Sequence, residues 1–153
     1  MNITIRPMVM GDYSQVHEVD ILTQRKYLGN KFSRMGIEEQ ETHLVSRKSE
    51  FAINVDAGYC FVAENKGEII GFILAYETLP FHGTLFIHYI GINPAYQGKG
   101  IGLLLFKRII KKAKENDIRV IQSLINIDNL PSIKLHKKAG FKISLRKQAI
   151  LEL

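Results

Sequence analysis

The sequence lacks tryptophan and has a single cysteine, Cys60, and four prolines among its 153 residues. One cysteine excludes an intrachain disulfide and argues against a secreted, disulfide-bonded scaffold. No apolar run reaches the ~18 residues that a membrane helix needs, and Met1–Pro7 lacks the basic and then apolar order of a signal peptide. We therefore expect a soluble, cytoplasmic protein without a membrane partner. No group of cysteine and histidine has zinc spacing, so we expect no metal.

Positive charge is in modest excess, with 21 Lys and Arg against 15 Asp and Glu and a net charge of +6. The hydrophobic share of 46% and the charged share of 24% are ordinary for a globular protein, which excludes a mainly disordered chain. The length fits one domain over residues 1–153. The charge favours an anionic ligand, although it is also compatible with nucleic acid or with no charged partner. No aromatic platform accompanies Lys107–Lys114, so a solvated helix face is preferred to an RNA-binding patch.

The order of apolar and polar residues predicts strands that alternate with helices in the second half of the chain. Thr84–Ile92 is nearly continuously apolar, which is typical of a strand buried on both faces. From Ile101 to Ala113 apolar residues recur at helical spacing between basic residues. This order indicates a layered α/β sheet. The predicted strands are Ile3–Arg6, Gly58–Glu64, Ile69–Tyr76, Thr84–Ile92, Arg119–Ile125 and one or two in Phe141–Leu153; the predicted helices lie between Asp12 and about Phe51, from Ile101, and at Asn129–Lys138 with Asn129 as N-cap; Leu79–Gly83 is a predicted loop.

A glycine-rich segment lies between the strand Thr84–Ile92 and the helix that follows it. Its glycines let the backbone approach a ligand closely, and free N–H groups at a helix start suit a phosphate. A P-loop would need a lysine followed by Ser or Thr, and a dinucleotide fingerprint would need a glycine where Leu103 stands, so neither pattern fits. A tight turn without a ligand remains the alternative. The segment consists of Gln97, Gly98, Lys99, Gly100, Ile101 and Gly102.

Two linked motifs resemble the GNAT superfamily of N-acetyltransferases. Gln97–Gly102 matches Gln/Arg-x-x-Gly-x-Gly/Ala, the acyl-CoA pyrophosphate loop of that family, and Ile90–Pro94 resembles the end of its fourth strand. Asn129–Phe141 resembles its segment Asn-x-x-(small)-x-x-Leu-Tyr-x-x-x-Gly-Phe. The motifs occur in the family's order, so the resemblance covers about Phe61–Phe141 and, through the order of elements, nearly the whole chain.

The resemblance implies an α/β (α+β) fold. The expected sheet is mixed, mostly antiparallel and six- to seven-stranded, with helices on both faces and a splay between strands four and five. The cofactor would be acetyl-CoA, with its pantetheine arm between those strands. Backbone groups of Ile90 and Ile92 would pair with the arm, Asn129 and Ser132 would approach it from the far side, and an N–H near Ile90 would polarise the thioester carbonyl. The N–H groups of Gln97–Gly102 would hold the pyrophosphate.

The implied reaction is direct transfer of the acetyl group to a primary amine, of a small molecule or a protein, in a ternary complex. Such a reaction needs positioning, a base for the amine and an acid for the thiolate. Where the family has its usual tyrosine acid this chain has His136, which either donates a proton or merely packs on or hydrogen-bonds the sulfur. Strands four and five contain no carboxylate. His88 is therefore the candidate base, directly or through water, or else a structural histidine, and Glu77 is a weaker candidate.

The acceptor side and the chain's function class have open alternatives. Arg25, Lys26 and Arg34 would favour an amphoteric or anionic acceptor, or they are simply a basic surface. Phe141–Leu153 is short for two strands, so either the acceptor site is open to a peptide or protein lysine, or a second copy completes it in a homodimer. A non-catalytic acyl-CoA binder is the alternative to an enzyme, and a basic nucleic-acid-binding module is the weaker alternative.

Overall fold

The computed structural model describes residues 1–37, 39–40, 48–78, 83–147 and 149–151. Within these residues the chain forms one mixed sheet of five strands in the order β1-β2-β3-β4-β5. The first four strands pair antiparallel, and β5 runs parallel to β4. The strands are β1 Ile3–Pro7, β2 Phe61–Asn65, β3 Glu68–Glu77, β4 Thr84–Ile92 and β5 Val120–Ser123.

Helices cover both faces of this sheet, as the sequence predicted. On one face Val16, Phe51 and Phe72 are buried in a cluster between two helices and the sheet. On the other face Leu105 and Ile109 are buried against the sheet. The helices are α1 Tyr13–Leu28, α2 Asn30–Arg34, α3 Lys48–Asp56, α4 Ile101–Glu115 and α5 Leu130–Lys138, and one-turn 3-10 helices span Met10–Asp12 and Pro94–Tyr96. We call the face under α1 and α3 the α1 side, and the opposite face the α4 side.

Helix α4 shows how local pattern becomes structure. Its apolar positions at helical spacing are buried, among them Ile101, Leu105, Ile109 and Ala113. Leu104 is the exception, because 38% of its surface is exposed. The basic residues between them face solvent or are partly buried at the helix surface. An amphipathic helix of this kind gains most of its stability from packing its apolar stripe on the sheet.

The predicted count of six to seven strands is wrong for the described part of the chain, which holds five. The difference lies after α5, where residues 141–147 and 149–151 form no strand. Phe141 instead packs against α4 and α5. Its ring centroid lies 5.3 Å from that of Phe106, and its N–H donates to His136 O at 3.0 Å. The following residues to Lys147 are exposed. Residues 148, 152 and 153 of the predicted strand, and residues 79–82 of the predicted loop, lie outside the described residues.

Strands β4 and β5 are paired over only part of their length. Thr84–Ile87 pairs with Val120–Ser123, whereas β4 continues to Ile92. We call the edge of β4 along His88–Ile92, which β5 leaves without a partner in the described part of the sheet, the cleft. It lies where the sequence resemblance places a splay between strands four and five.

A β-bulge marks the start of the cleft. Leu74 pairs with Tyr89 and Ala75 pairs with Ile87, so His88 is an extra residue on β4. Ile87 is buried on the α4 side, and Tyr89 packs against the cluster on the α1 side. A bulge of this kind bends its strand and strengthens the local twist. The bend therefore occurs where β5 stops pairing.

Candidate functional site

The glycine loop Gln97–Gly102 connects β4 to α4 at one end of the cleft. Gly98 and Gly100 have φ values of +78° and +82°, in the left-handed region that favours glycine. A Cβ atom built on either residue would meet no heavy atom within 4 Å. The left-handed backbone conformation therefore explains why both residues are glycine, and the space beside them is open to a ligand.

The first turn of α4 contributes backbone N–H donors that are free of helix hydrogen bonds. The first hydrogen bond of the helix runs from Leu104 N to Gly100 O at 3.1 Å. The N–H groups of Ile101, Gly102 and Leu103 precede it and have no partner within the helix. The positive end of the helix dipole lies at the same place, so the arrangement suits an anion such as a diphosphate.

Gly102 has a second role that sequence reasoning did not foresee. A Cβ at this position would lie 2.7 Å from Leu135 Cδ2 and 3.1 Å from Leu135 Cδ1. The missing side chain thus lets α5 pack closely on the first turn of α4. The sequence interpretation of three ligand-facing glycines is incomplete, because this one is also required by helix packing.

Ile90 and Ile92 lie on β4 along the cleft, as predicted. Both side chains are partly buried and pack on the α4 side. The carbonyl oxygen of Ile92 accepts a hydrogen bond from Gln97 Nε2 at 3.0 Å, and Thr23 Oγ1, which donates to Val19 O at 2.7 Å, lies 3.4 Å from it. Side chains from the glycine loop and from α1 therefore meet at this backbone position.

His136 is buried in α5, with 1% of its surface exposed. Its Nδ1 lies 2.8 Å from Ser132 O, and since a carbonyl only accepts, Nδ1 carries the hydrogen. Its Nε2 lies 3.1 Å from Ser123 Oγ. Burial lowers the pKa of His136, and the hydrogen bond to Ser132 O opposes this only in part. At neutral pH the imidazole is therefore mostly uncharged, with Nε2 accepting from Ser123.

Asn129 and Ser132 are bonded to each other at the start of α5. Asn129 Oδ1 accepts from Ser132 N at 3.1 Å, which confirms the predicted N-cap. Ser132 Oγ lies 3.3 Å from His136 Nδ1. The two residues predicted to approach the cofactor arm thus form the capped helix start that carries His136.

His88 lies on the opposite side of the sheet from His136. It is exposed at the bulge, with its ring centroid 6.2 Å from that of Tyr76 and 6.0 Å from that of Tyr89. His136 instead makes edge-on contacts with Phe106 and Phe141 on the α4 side. The two predicted catalytic histidines therefore flank the sheet near the cleft, one exposed and one buried.

Helix α1 brings polar residues to this region that the sequence did not mark as site residues. Asp20 is fully buried, and Gln24 Nε2 lies 3.4 Å from its Oδ1. Burial, and after it the charge of Asp20, raise the pKa of the Tyr89 hydroxyl. Tyr27 OH donates to Asp128 Oδ1 at 2.9 Å and accepts from Asn126 Nδ2 at 3.2 Å. The weak helical periodicity of this segment carried no signal for these contacts.

The remaining chemical candidates have structural explanations. Cys60 is buried, and burial raises its pKa to about 11, so the thiol is unreactive at neutral pH. In the described part of the chain, no three His, Cys, Asp or Glu residues are grouped so that they could hold a metal ion. Glu77 Oε1 accepts from Gly83 N at 3.0 Å, at the far end of β3 from the glycine loop.

No helix among the described residues is long and apolar enough to span a bilayer. The sequence pattern of the Acetyltransferase (GNAT) family matches residues 14–141.

Two named relatives match parts of the chain. The L-2,4-diaminobutyric acid acetyltransferase of Shouchella clausii is 34% identical over 79 residues, 52% of this chain and 44% of the relative. The L-methionine sulfoximine/L-methionine sulfone acetyltransferase of Pseudomonas aeruginosa is 28% identical over 110 residues, 69% of this chain and 64% of the relative. The chain thus spans less than two thirds of the length of these relatives.

The fold also matches solved structures. The PaiA N-acetyltransferase of Thermoplasma acidophilum, in complex with coenzyme A, superposes with a TM-score of 0.79 at 19% identity. The match covers 94% of this chain and 92% of that one. At this level of identity the similarity establishes the fold.

Proposed function

Because the chain belongs to the acetyltransferase (GNAT) family, we propose that it transfers an acetyl group from acetyl-CoA directly to a primary amine, as one acyltransferase domain. The observation that carries the proposal is the open glycine loop at the start of α4, beside the cleft that β5 leaves along β4. The nucleic-acid alternative has no comparable feature.

The loop fits the diphosphate of coenzyme A through its backbone. The N–H groups from Gly98 to Gly102 supply the donors, whereas the N–H of Gln97, which the sequence interpretation included, donates to Pro94 O at 3.4 Å. The helix dipole adds favourable charge. Acetyl-CoA would supply the activated thioester. Within the cleft, Ile90 and Ile92 lie where their backbone groups would pair with the arm, and an N–H near Ile90 would polarise the thioester carbonyl, an effect of several kcal/mol in other enzymes.

The two histidines have separate proposed roles. His88, exposed on the α1 side, accepts the proton that the attacking amine loses, directly or through water. His136 Nε2 accepts from Ser123 in the neutral ring, so a proton would reach the leaving thiolate through the Ser123 hydroxyl only from the imidazolium, which burial disfavours. A thiol with a reference pKa of about 8.5 leaves fairly well without such help. The alternative role for His136, packing near the sulfur or hydrogen-bonding it, needs no proton transfer.

The proposed acceptor is a small amine that also carries a carboxylate. The named relatives act on L-2,4-diaminobutyric acid and on L-methionine sulfoximine or sulfone. The last turn of α1 carries Arg25, and α2 ends at Arg34. These cations would attract a carboxylate and repel a simple monoamine, so an amino-acid-like acceptor agrees with the charge of this region.

We also propose that a second copy covers the edge of the sheet at β5. In the described part of the sheet β5 is the last strand, and its outer edge presents backbone groups that another chain would pair. Apolar side chains are exposed on and next to this strand, at Val120 and Leu124. We expect a dimer in sedimentation velocity and a monomer for Leu124→Glu. A monomeric wild-type protein would contradict this arrangement.

The test of the proposed function is thermal unfolding with and without acetyl-CoA, followed by an amino-acid screen for thiol release. Ligand at 100 times its dissociation constant stabilises a protein by about 2.7 kcal/mol, which for this size raises Tm by roughly 5–10 °C. Gly100→Glu should abolish the shift, because it places bulk and negative charge in the loop. A shift without turnover of any amine would favour the non-catalytic binder. Absence of a shift in CoA-free protein would contradict both.

A further inference from the structure

Lys26, in the last turn of α1, contacts the first residue of the glycine loop. Its Nζ donates to Gln97 Oε1 at 2.6 Å, and Gln97 Nε2 donates to Ile92 O at 3.0 Å. An ammonium only donates and a carbonyl only accepts, so these two partners fix the orientation of the Gln97 amide. Helix α1 thereby places a positive charge beside the glycine loop, although Lys26 and Gln97 are 71 positions apart in the sequence.

The charge of Lys26 is not neutralised by its contact. Within the described residues both ion pairs belong to Arg6, with Asp12 and Glu64, so the partner of Lys26 is a neutral amide. A compact ammonium is a point charge that binds phosphate without demanding planar geometry. Lys26 is exposed and therefore free to exchange its amide partner for an anion.

The loop's own lysine lies in a different environment. Lys99 Nζ is 5.0 Å from the centroid of the Tyr96 ring. The hydroxyl of Tyr96 donates to Glu68 Oε2 at 3.0 Å. The ammonium of Lys99 thus lies near a ring whose hydroxyl is bonded to a carboxylate. The ammonium of Lys26 instead donates directly to the side chain of Gln97 in the loop.

The position of Lys26 is fixed by its neighbour. Tyr27 is hydrogen-bonded to Asp128 and Asn126, in the segment that follows β5. These bonds join the end of α1 to the β5 side of the cleft. The backbone of α1 at Lys26 is therefore anchored through Tyr27, while the exposed Lys26 side chain can exchange its partner.

We propose that Lys26 is a phosphate-binding residue for the acyl-CoA, which exchanges Gln97 Oε1 for an oxygen of the diphosphate. The inference rests on the proposed function, since it names a further residue of the same cofactor site. The loop N–H groups and Lys26 then bind the diphosphate from two different elements. Lys26 affects cofactor binding and leaves the transfer step unchanged.

The test compares Lys26→Gln with Lys31→Gln, which removes the same charge from an exposed position in α2. Losing a charged hydrogen bond should raise the dissociation constant of CoA about tenfold or more in Lys26→Gln, with little change in Lys31→Gln. With S-acetylpantetheine, a donor without the diphosphate, both variants should react like wild type. Equal CoA affinity in wild type, Lys26→Gln and Lys31→Gln would overturn the inference. A loss of Lys26→Gln activity with S-acetylpantetheine as large as its loss with acetyl-CoA would also overturn it.

A double-mutant cycle separates phosphate binding from support of Gln97. If Lys26 only orients the Gln97 amide, Lys26→Gln has no effect in a Gln97→Ala background. We expect the loss of CoA affinity to persist there, and Lys26→Arg to restore part of it. Wild-type protein that binds no CoA would contradict the proposed function, whereas normal binding by wild type and Lys26→Gln alike would contradict only this inference.

Discussion

The two sides of the cleft hold the basic side chains proposed for the site in opposite ways. On the α4 side His136 is buried and bonded to Ser132 and Ser123, so its polar atoms have protein partners. On the α1 side Lys26 and His88 are exposed, and Lys26 is bonded across elements to Gln97. Buried polar groups that are fully paired make a rigid scaffold, whereas exposed pairs contribute little stability and exchange readily. The comparison assigns positioning to His136 and ligand exchange to Lys26 and His88.

The largest expected effect on the α1 side is that of His88→Ala. An exposed histidine contributes little to folding, so Tm should stay within about 1–2 °C of wild type. If His88 is the base, kcat/KM for the amine should fall by about 100-fold. The control is His17→Ala, which removes a partly buried ring stacked on Tyr13. Equal rates of thiol release in His88→Ala and wild type would rule out a role for this histidine as the base.

His136→Ala should produce the opposite pattern. Removing a buried ring leaves a cavity and deprives Ser123 and the Ser132 carbonyl of a partner, so we expect a loss of about 2–4 kcal/mol in the free energy of unfolding. Activity should fall less than tenfold, in kcat more than in CoA affinity, because the thiol leaves readily. Urea denaturation and steady-state kinetics measure the two effects. Unchanged stability would show that the α4 side is not the scaffold described above.

Gly102→Val tests the same scaffold at the first turn of α4. Both methyl groups of Leu135 lie within 3.1 Å of the position that a Cβ would occupy. Overpacking of this kind costs about 1–3 kcal/mol. In a Leu135→Ala background the additional cost of Gly102→Val should shrink, because the opposing methyl groups are gone. Equal costs in both backgrounds would remove helix packing as the reason for this glycine.

The smallest effect expected is a pH dependence of stability due to His136. Burial lowers its pKa below the ordinary value of about 6.5. The unfolded chain therefore binds this proton at a higher pH than the folded chain, so the contribution of His136 is present above about pH 6.5 and is lost as pH falls toward the folded pKa. His88→Ala should retain this dependence and His136→Ala should lose it. Parallel curves of the free energy of unfolding against pH for wild type and His136→Ala would contradict the assignment of this dependence to His136.

Local features of the fold were predictable from the sequence. The bounds of β4 are those predicted, and the apolar spacing of α4 located that helix. The glycine loop was found because its residues are adjacent in the chain. The strand count failed because an apolar alternation such as that after Gly140 does not specify a partner strand. At a sheet edge the partner, and not the pattern, decides whether a strand forms.

The contacts that α1 makes with the glycine loop and with the segment after β5 were not predictable. Lys26 meets Gln97 across 71 positions of sequence, and Tyr27 meets Asp128 across 101. Such contacts depend on how α1 lies on the sheet, and its weak periodicity left that orientation undetermined. The bulge at His88 was likewise invisible, because nothing in a run of apolar residues marks where one residue loses its partner.

That bulge has a consequence for insertions and deletions in β4. In a regular strand, removal of one residue moves every later side chain to the other face. Here Ile87 and Ile90 face the α4 side and Tyr89 faces the α1 side, with His88 as the unpaired extra residue. Deleting His88 would leave Ile87, Tyr89 and Ile90 in plain alternation on the faces they already occupy. Deletion of His88 should therefore leave the core contacts of β4 intact and remove only the bend that opens the cleft.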